Sequence, residues 1–437
     1  MWIFRRKNQI QWRQLMWLSI LLLGPSANWS LEGEGLLQVG TARVDITPDM
    51  PVQLSGYEAR KALSTGIHDR LYARAVAFDC GDEKLVLVSA DLIGFYDGTF
   101  EYYQAEILRS CQLRPSQLFL AGIHTHSAPE LALSPERAHA NNLRYTEELK
   151  PKLVAVAHEA LSGMKPARLG TGIGYCSVGM NRRETEPDGS VTLGRNPYGP
   201  ADHDVLVMKV VDSSERPMAV IYDYATHATS LGTENLQISG DCLGLASQFV
   251  EKILGAETLA PAFAGASGDI DPWYRVLPTF NTEPGWIPEP ILLGTLIGEE
   301  VVHVFRGIQN RSAEAQIRST FATIELPGKK LGELFAKPGD PPVRLNITAA
   351  RIGDAAFIGF GCEMLTEVGM GIKAGSPFKR TFLLTHCNGA TDYLPPAHLY
   401  KEGGYEVKSS PFAPQAADLV VKQALRMLYA LFQDRPQ

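Results

Sequence analysis

The chain has 437 residues, a formal charge of −7, 45% hydrophobic and 20% charged residues, an ordinary globular composition with ample material for a core. A mild acidic excess without a long Lys/Arg run argues against nucleic acid as a partner. The 40 Gly and 28 Pro are spread along the chain and predict many turns and long ordered loops instead of one disordered tract.

In chain order, the first thirty residues stand apart. Arg5-Arg6-Lys7 and Arg13 make a positive start, and Leu15–Leu23 an apolar stretch too short to span a bilayer comfortably. Gly24-Pro25-Ser26-Ala27 supplies small residues for cleavage. The pattern predicts a signal peptide over residues 1–27, cleaved near Ser26 or Ala27, and so a secreted or periplasmic protein. An uncleaved anchor is the other reading of the segment.

Leu37–Val44 and Ile46 alternate like a strand, Tyr72–Phe78 and Lys84–Ser89 read as apolar strands, and Thr99–Cys111 has helical spacing. Gln117–Ile123 reads as a buried strand that runs into His124-Thr125-His126 and is broken by Ser127-Ala128-Pro129-Glu130. Tyr145–Leu161 is a helix, Val205–Val211 and Met218–Tyr224 strands, Leu243–Leu254 a helix, Leu259–Ala264 a short strand and Pro290–Phe305 a helix. Trp273–Pro290 reads as a long loop beside the site. Ile317–Leu326, Val343–Arg351, Ala355–Phe360 and Thr381–Thr385 look extended, and Glu363–Lys373 and Ala416–Phe432 helical. Such interleaving predicts an α/β fold (or α+β), with a mixed sheet layered by helices in one domain over residues 36–437.

Cys80, Cys111, Cys176, Cys242, Cys362 and Cys387 match no zinc-finger spacing, and no pairing among them is favoured. Asn28, Asn310 and Asn346 open glycosylation sequons.

His124-Thr125-His126 is the most informative segment. Side chains alternate along a strand, so both imidazoles are expected on one face, where they address one metal ion or one substrate oxygen. Sheet enzymes commonly hold their chemistry at such strand ends. His227, after Met218–Tyr224, sits at another strand terminus. Asp241 opens a helix, and Glu363 follows a glycine turn at the start of another; helix capping is an alternative role for each.

Together these segments resemble the N-terminal catalytic domain of the neutral/alkaline non-lysosomal ceramidase family. The resemblance also rests on Gly40-Thr41-Ala42-Arg43-Val44-Asp45-Ile46-Thr47-Pro48, Ser55-Gly56-Tyr57, Gly66–Arg74 and Ser89-Ala90-Asp91-Leu92, in order along the chain. It implies His124, His227 and Glu363 as zinc ligands, with Tyr393 as a fourth. It implies His126, Arg182 (of the Asn181-Arg182 pair, beside Arg183) and Tyr405 as groups lining the reaction site.

Two departures stand out. The family's catalytic serine is replaced by Asp271 in Gly268-Asp269-Ile270-Asp271-Pro272, and the family's C-terminal immunoglobulin-like domain has no counterpart before residue 437. A carboxylate there serves as a general base, binds a cationic group or shapes a turn. The resemblance implies a zinc-dependent hydrolase of an amide, N-acylsphingosine or a related lipid, with peripheral membrane contact. A different amide or ester, or a metal-retaining protein without turnover, are the alternatives that Asp271 raises. His386 and the remaining histidines are expected to be surface or satisfied core residues.

Overall fold

The computed structural model of the protein describes residues 36–81, 83–136, 138–255, 257–273 and 289–433. The expected signal peptide, the Asn28 sequon and most of the Trp273–Pro290 loop lie outside them. No helix among the described residues is long and apolar enough to cross a membrane.

The core is two sheets packed face to face, with helices on both outer faces. The larger sheet has eight strands in the order Ala262–Ala264, Pro217–Tyr224, Asp204–Asp212, Lys165–Tyr175, Gln38–Asp45, Tyr72–Asp79, Lys84–Ala90 and Leu118–Gly122. The smaller has Ile317–Leu326, Val343–Ile352, Ala355–Phe360 and Arg380–Leu384. Val76, Phe78, Leu87 and Phe119 of the first share a buried cluster with Ile352, Phe357 and Phe382 of the second.

Tyr72–Asp79 illustrates how sequence dictates this layering. Its large residues Val76 and Phe78 face the second sheet, while the small Ala73, Ala75 and Ala77 face helices Thr99–Cys111 and Ala140–Ser162. With both faces covered, Ala73–Phe78 are buried throughout, Arg74 included, so the strand shows no polar alternation. Helices Asp241–Leu254 and Glu289–Gly307 cover the rest of the larger sheet, and Ala416–Gln433 covers the smaller.

The sequence expectation missed Lys165–Tyr175, Gly179–Thr185, Val191–Asn196 and Thr391–Leu394. In the first, alternate glycines 170, 172 and 174 lower strand propensity on paper. They are required because helix Glu289–Gly307 and its exit lie so close that a Cβ on Gly172 would stand 2.8 Å from Val304 Cγ1. Glu363 does not open a helix as expected. It sits in the short strand Cys362–Met364, paired in parallel with Thr391–Leu394 so that Glu363 faces Tyr393, and the helix begins at Thr366.

All six cysteines are free thiols. The Asn346 sequon is unsuited to a glycan: Asn346 Nδ2 donates to Asn388 O at 2.9 Å, and Thr348 is fully buried.

One topological feature places the site. Three parallel strand pairs lie in these sheets: Lys84–Ala90 with Leu118–Gly122, Pro217–Tyr224 with Ala262–Ala264, and Ala355–Phe360 with Arg380–Leu384. The segments leaving their carboxyl ends carry, in turn, Tyr96, His124, His227, Asp271, Glu363 and His386. Crevices outside the carboxyl ends of parallel strands are where α/β proteins bind ligands.

Candidate metal centre

His124 and His126 do not project by strand alternation as expected. The strand ends at Gly122, and His124 has φ 63°. The turn is held by His124 N donating to Leu92 O and His126 N donating to Ala228 O, beside a Thr125–Ala228 bridge. The segment therefore lies against the one carrying His227. His386, at φ 50°, and Asn388, at φ 58°, are in the same left-handed region, which non-glycine residues seldom occupy and which clusters at functional sites.

Three ligand-type atoms converge here. His124 Nε2 is 3.5 Å and His227 Nε2 3.7 Å from Glu363 Oε2. His124 Nδ1 is fixed at 2.9 Å from Ile93 O, and His227 Nδ1 at 2.7 Å from Ser267 O. Each Nδ1 therefore carries the proton, and each Nε2 lone pair points inward. Glu363 Oε2 is buried without a hydrogen-bond partner, and a buried orphan acceptor of this kind is costly unless something binds it. Tetrahedral ligands about 2.0–2.1 Å from a zinc ion stand about 3.4 Å apart, so the spacing and donor set fit such an ion.

The centre is dry. His124 is 1%, His227 0% and Glu363 5% exposed. Burial works against the Glu363 charge, but His124 and the contacts from both histidines outweigh it and hold the carboxyl well below its ordinary range. Burial, reinforced by the neighbouring His124 and His227, holds His126 well below the ordinary histidine range. Its Nε2 lies 3.4 Å from His124 Nε2, and its Nδ1 has no partner.

Arg182 occupies the back of the site. Its Nη1 is 3.2 Å from Asp271 Oδ1 and 3.4 Å from His227 Nε2. Its Nε donates to Glu406 at 2.9 Å, and its Nη2 to Gly268 O at 2.9 Å and the Tyr393 hydroxyl at 3.1 Å. Of the two adjacent arginines, Arg182 is the one turned to the site. Arg183 braces a loop, donating to Glu406 at 2.7 Å and Gly403 O at 2.9 Å. Thr229 Oγ1 donates to Asp271 at 3.3 Å. Burial above all, then Glu363, pushes Tyr393 well above the ordinary tyrosine range.

A cleft of about 390 Å³ opens onto His124, His126, Glu363 and Tyr393. Tyr405, 45% exposed, stands at its mouth with its ring 5.5 Å from that of Tyr393. All eight residues singled out in the sequence thus lie in or against one centre. Asp241 instead holds a loop, accepting from Ser230 N at 3.0 Å and Leu231 N at 3.1 Å.

The sequence reading missed two residues. His386, expected to be surface or satisfied core, is 1% exposed and stacks on His124 with ring centroids 3.7 Å apart. Its signal was available: it follows an extended apolar run, as His124 and His227 do. Tyr96, whose hydroxyl donates to Glu363 Oε1 at 3.0 Å, lies in a loop without a readable pattern.

The chain is similar to known proteins of one family. Residues 37–272, more than half of the chain, match the family described as neutral/alkaline non-lysosomal ceramidase, N-terminal. Neutral ceramidase A of Dictyostelium discoideum is 29% identical over 261 residues, covering 55% of this chain and 37% of that protein. A neutral ceramidase of Mycobacterium tuberculosis is 28% identical over 273 residues, covering 54% of this chain and 40% of that protein. The matched region thus spans well under two thirds of these relatives. The crystal structure of neutral ceramidase from Pseudomonas aeruginosa superposes with a TM-score of 0.76 at 18% identity, covering 92% of this chain and 75% of that one, and so shares the fold.

Proposed function

The chain belongs to the neutral/alkaline non-lysosomal ceramidase family, and from that premise we propose that it is a zinc-dependent hydrolase of an amide bond, with N-acylsphingosine or a related lipid as substrate. The observation that carries the reading is the convergence of His124 Nε2, His227 Nε2 and the orphaned Glu363 Oε2 at the floor of a cleft.

His124, His227 and Glu363 would hold the ion, with Tyr393 beside them as the fourth ligand. When bound, zinc supplies Lewis acidity toward a carbonyl oxygen and acidifies a water molecule toward a pKa of about 7. His126 would relay the proton from the attacking water to the leaving amine, since its imidazole is kept neutral by burial and its Nδ1 is without a partner. Tyr405 stands where it can donate to an oxyanion. Arg182 contributes its charge and its grip on the Tyr393 hydroxyl, because its N–H groups are directed to Asp271, Glu406, Gly268 and Tyr393.

Asp271 has two roles open to it. Its ion pair with Arg182, 3.2 Å away, favours holding Arg182 over acting as general base. Asp271→Asn keeps an acceptor for Arg182 and is expected to retain activity within about tenfold, whereas loss of a general base costs roughly 10²–10⁴-fold. The kcat of the purified variant decides between them.

Gly56 has φ 94°, and a Cβ there would overlap the His126 ring. Gly56→Ala is expected to displace that ring and lower kcat by about 10²-fold, the usual cost of a misplacement near 1 Å. Unchanged zinc uptake would show that the ligands were spared, and an unchanged kcat would remove His126 from the reaction.

A second reading, hydrolysis of a polar amide or ester, is favoured by the cleft wall. Asp97, Glu130 and Asp392 line it with Arg60 and Lys61, against the apolar Leu54, Ile93 and Leu131. Burial, helped by Glu363 and Asp97, pushes Asp392 up to about 6. The test is turnover of fluorescent N-acylsphingosine beside short-chain amides and esters, with and without zinc. Zinc-dependent release of sphingosine supports the first reading, and turnover confined to the polar amides or esters supports the second. No turnover of any substrate by folded, zinc-loaded protein would leave a metal-binding protein without this activity.

A further inference from the structure

One loop, residues 91–98, serves both sides of the candidate centre. Leu92 O and Ile93 O fix His124, through its backbone N–H and its Nδ1. Three residues on, the Tyr96 hydroxyl donates to Glu363 Oε1 at 3.0 Å and lies 3.4 Å from His386 Nδ1. His386 lies flat on His124, with an interplanar angle of 9°.

His386, His124 and Glu363 have ligand atoms within 4.8 Å of one another, which by proximity alone is a ligand triad. The stacking argues otherwise. A histidine binds an ion in its own ring plane, and two stacked rings 3.7 Å apart keep their lone pairs in separate, nearly parallel planes. An ion on the His124 Nε2 axis therefore lies well off the His386 plane. With its proton on Nδ1, His386 instead donates to the Tyr96 oxygen, whose own proton goes to Glu363 Oε1. That arrangement leaves Oε2, the orphan oxygen, as the one presented to His124 and His227.

We propose that Tyr96 and His386 are positioning residues for this metal centre: Tyr96 sets which oxygen of Glu363 faces the ion, and His386 fixes the His124 ring and the Tyr96 hydroxyl. The inference rests on the metal reading of the site. Hydrogen-bonded partners of ligands orient them, and their removal typically costs about 10–100-fold in metal affinity.

The experiment is a competition titration of chelator-stripped, full-length protein with zinc alone, together with the visible absorption spectrum of the cobalt-substituted form. Tyr96→Phe removes one oxygen and is expected to weaken zinc binding by about 10–100-fold and to shift the cobalt bands, with the thermal midpoint of the metal-free protein unchanged. His386→Phe, which keeps the stacked face but loses the nitrogen, is expected to lose less than His386→Ala and serves if Tyr96→Phe folds poorly. Zinc affinity and cobalt bands equal to wild type in Tyr96→Phe and in His386→Ala would overturn the proposal while leaving the metal site standing. A wild-type protein that takes up no zinc would overturn both.

Discussion

Replacing His124 is expected to abolish stoichiometric zinc binding and to cost more activity than any other single change in the site. Two groupings of buried ligand-type side chains occur among the described residues, His124 with His126 and His227, and His124 with Glu363 and His386. Both contain His124, so its loss dismantles either one. Nor is a substitute at hand, because the position is 1% exposed and its neighbours already have assignments. The fall in turnover should exceed the roughly 10–100-fold expected for an orienting partner. Alanine at φ 63° adds backbone strain. His124→Asn is the better probe, since asparagine adopts this left-handed region more readily. Zinc binding and kcat of the folded Asn variant near wild-type values would mean that the ion, if bound, sits elsewhere.

The largest effect on stability is expected at Arg74. Its guanidinium is fully buried in the strand Tyr72–Asp79, 2.9 Å from Asp91 and 2.8 Å from Glu251. Burial, with partial relief from Arg74, already pushes Asp91 up to about 6. Arg74→Met leaves two buried carboxylates facing each other, and breaking a buried pair this way costs about 3–5 kcal/mol. Glu251 keeps Arg43, and Asp91 keeps the Tyr72 N–H, so local repair is partial. The urea midpoint of the purified variant measures the loss. A change below about 1 kcal/mol would mean that the triad is no better than neutral to the fold, as some buried ion pairs are.

Both sites show what the sequence could and could not disclose. The layered α/β fold was legible because many of its strands, buried on both faces, are predominantly apolar runs and its helices carry clear apolar stripes. Lys165–Tyr175 was not, because its glycines answer to a helix 130 residues away in sequence, and no local rule records that demand. His124, His227 and Glu363 were legible through strand ends and family resemblance. The means by which His124 and His126 converge was misread: a left-handed turn does what strand alternation was expected to do. Arg74 and Asp91 lay within recognised segments, yet their pairing needs the third dimension. His386 could have been singled out by its strand-end position, but Tyr96 became visible only when the loop after Ala90 met the carboxylate of Glu363.

Asp271 is the clearest departure from the family resemblance. Where the family has a hydroxyl, this chain has a carboxylate tied to Arg182. The pair sits beside His227 and apart from the residues that line the cleft, and adds charge next to the candidate centre.

The position of a bound ion is the most direct test of the candidate centre. Crystals of the protein grown with zinc, with diffraction recorded on both sides of the zinc absorption edge, give that position without reference to any substrate. One strong anomalous peak is expected about 2.0–2.2 Å from His124 Nε2, His227 Nε2 and Glu363 Oε2. A peak elsewhere, or none between these three atoms in zinc-saturated protein, would contradict it.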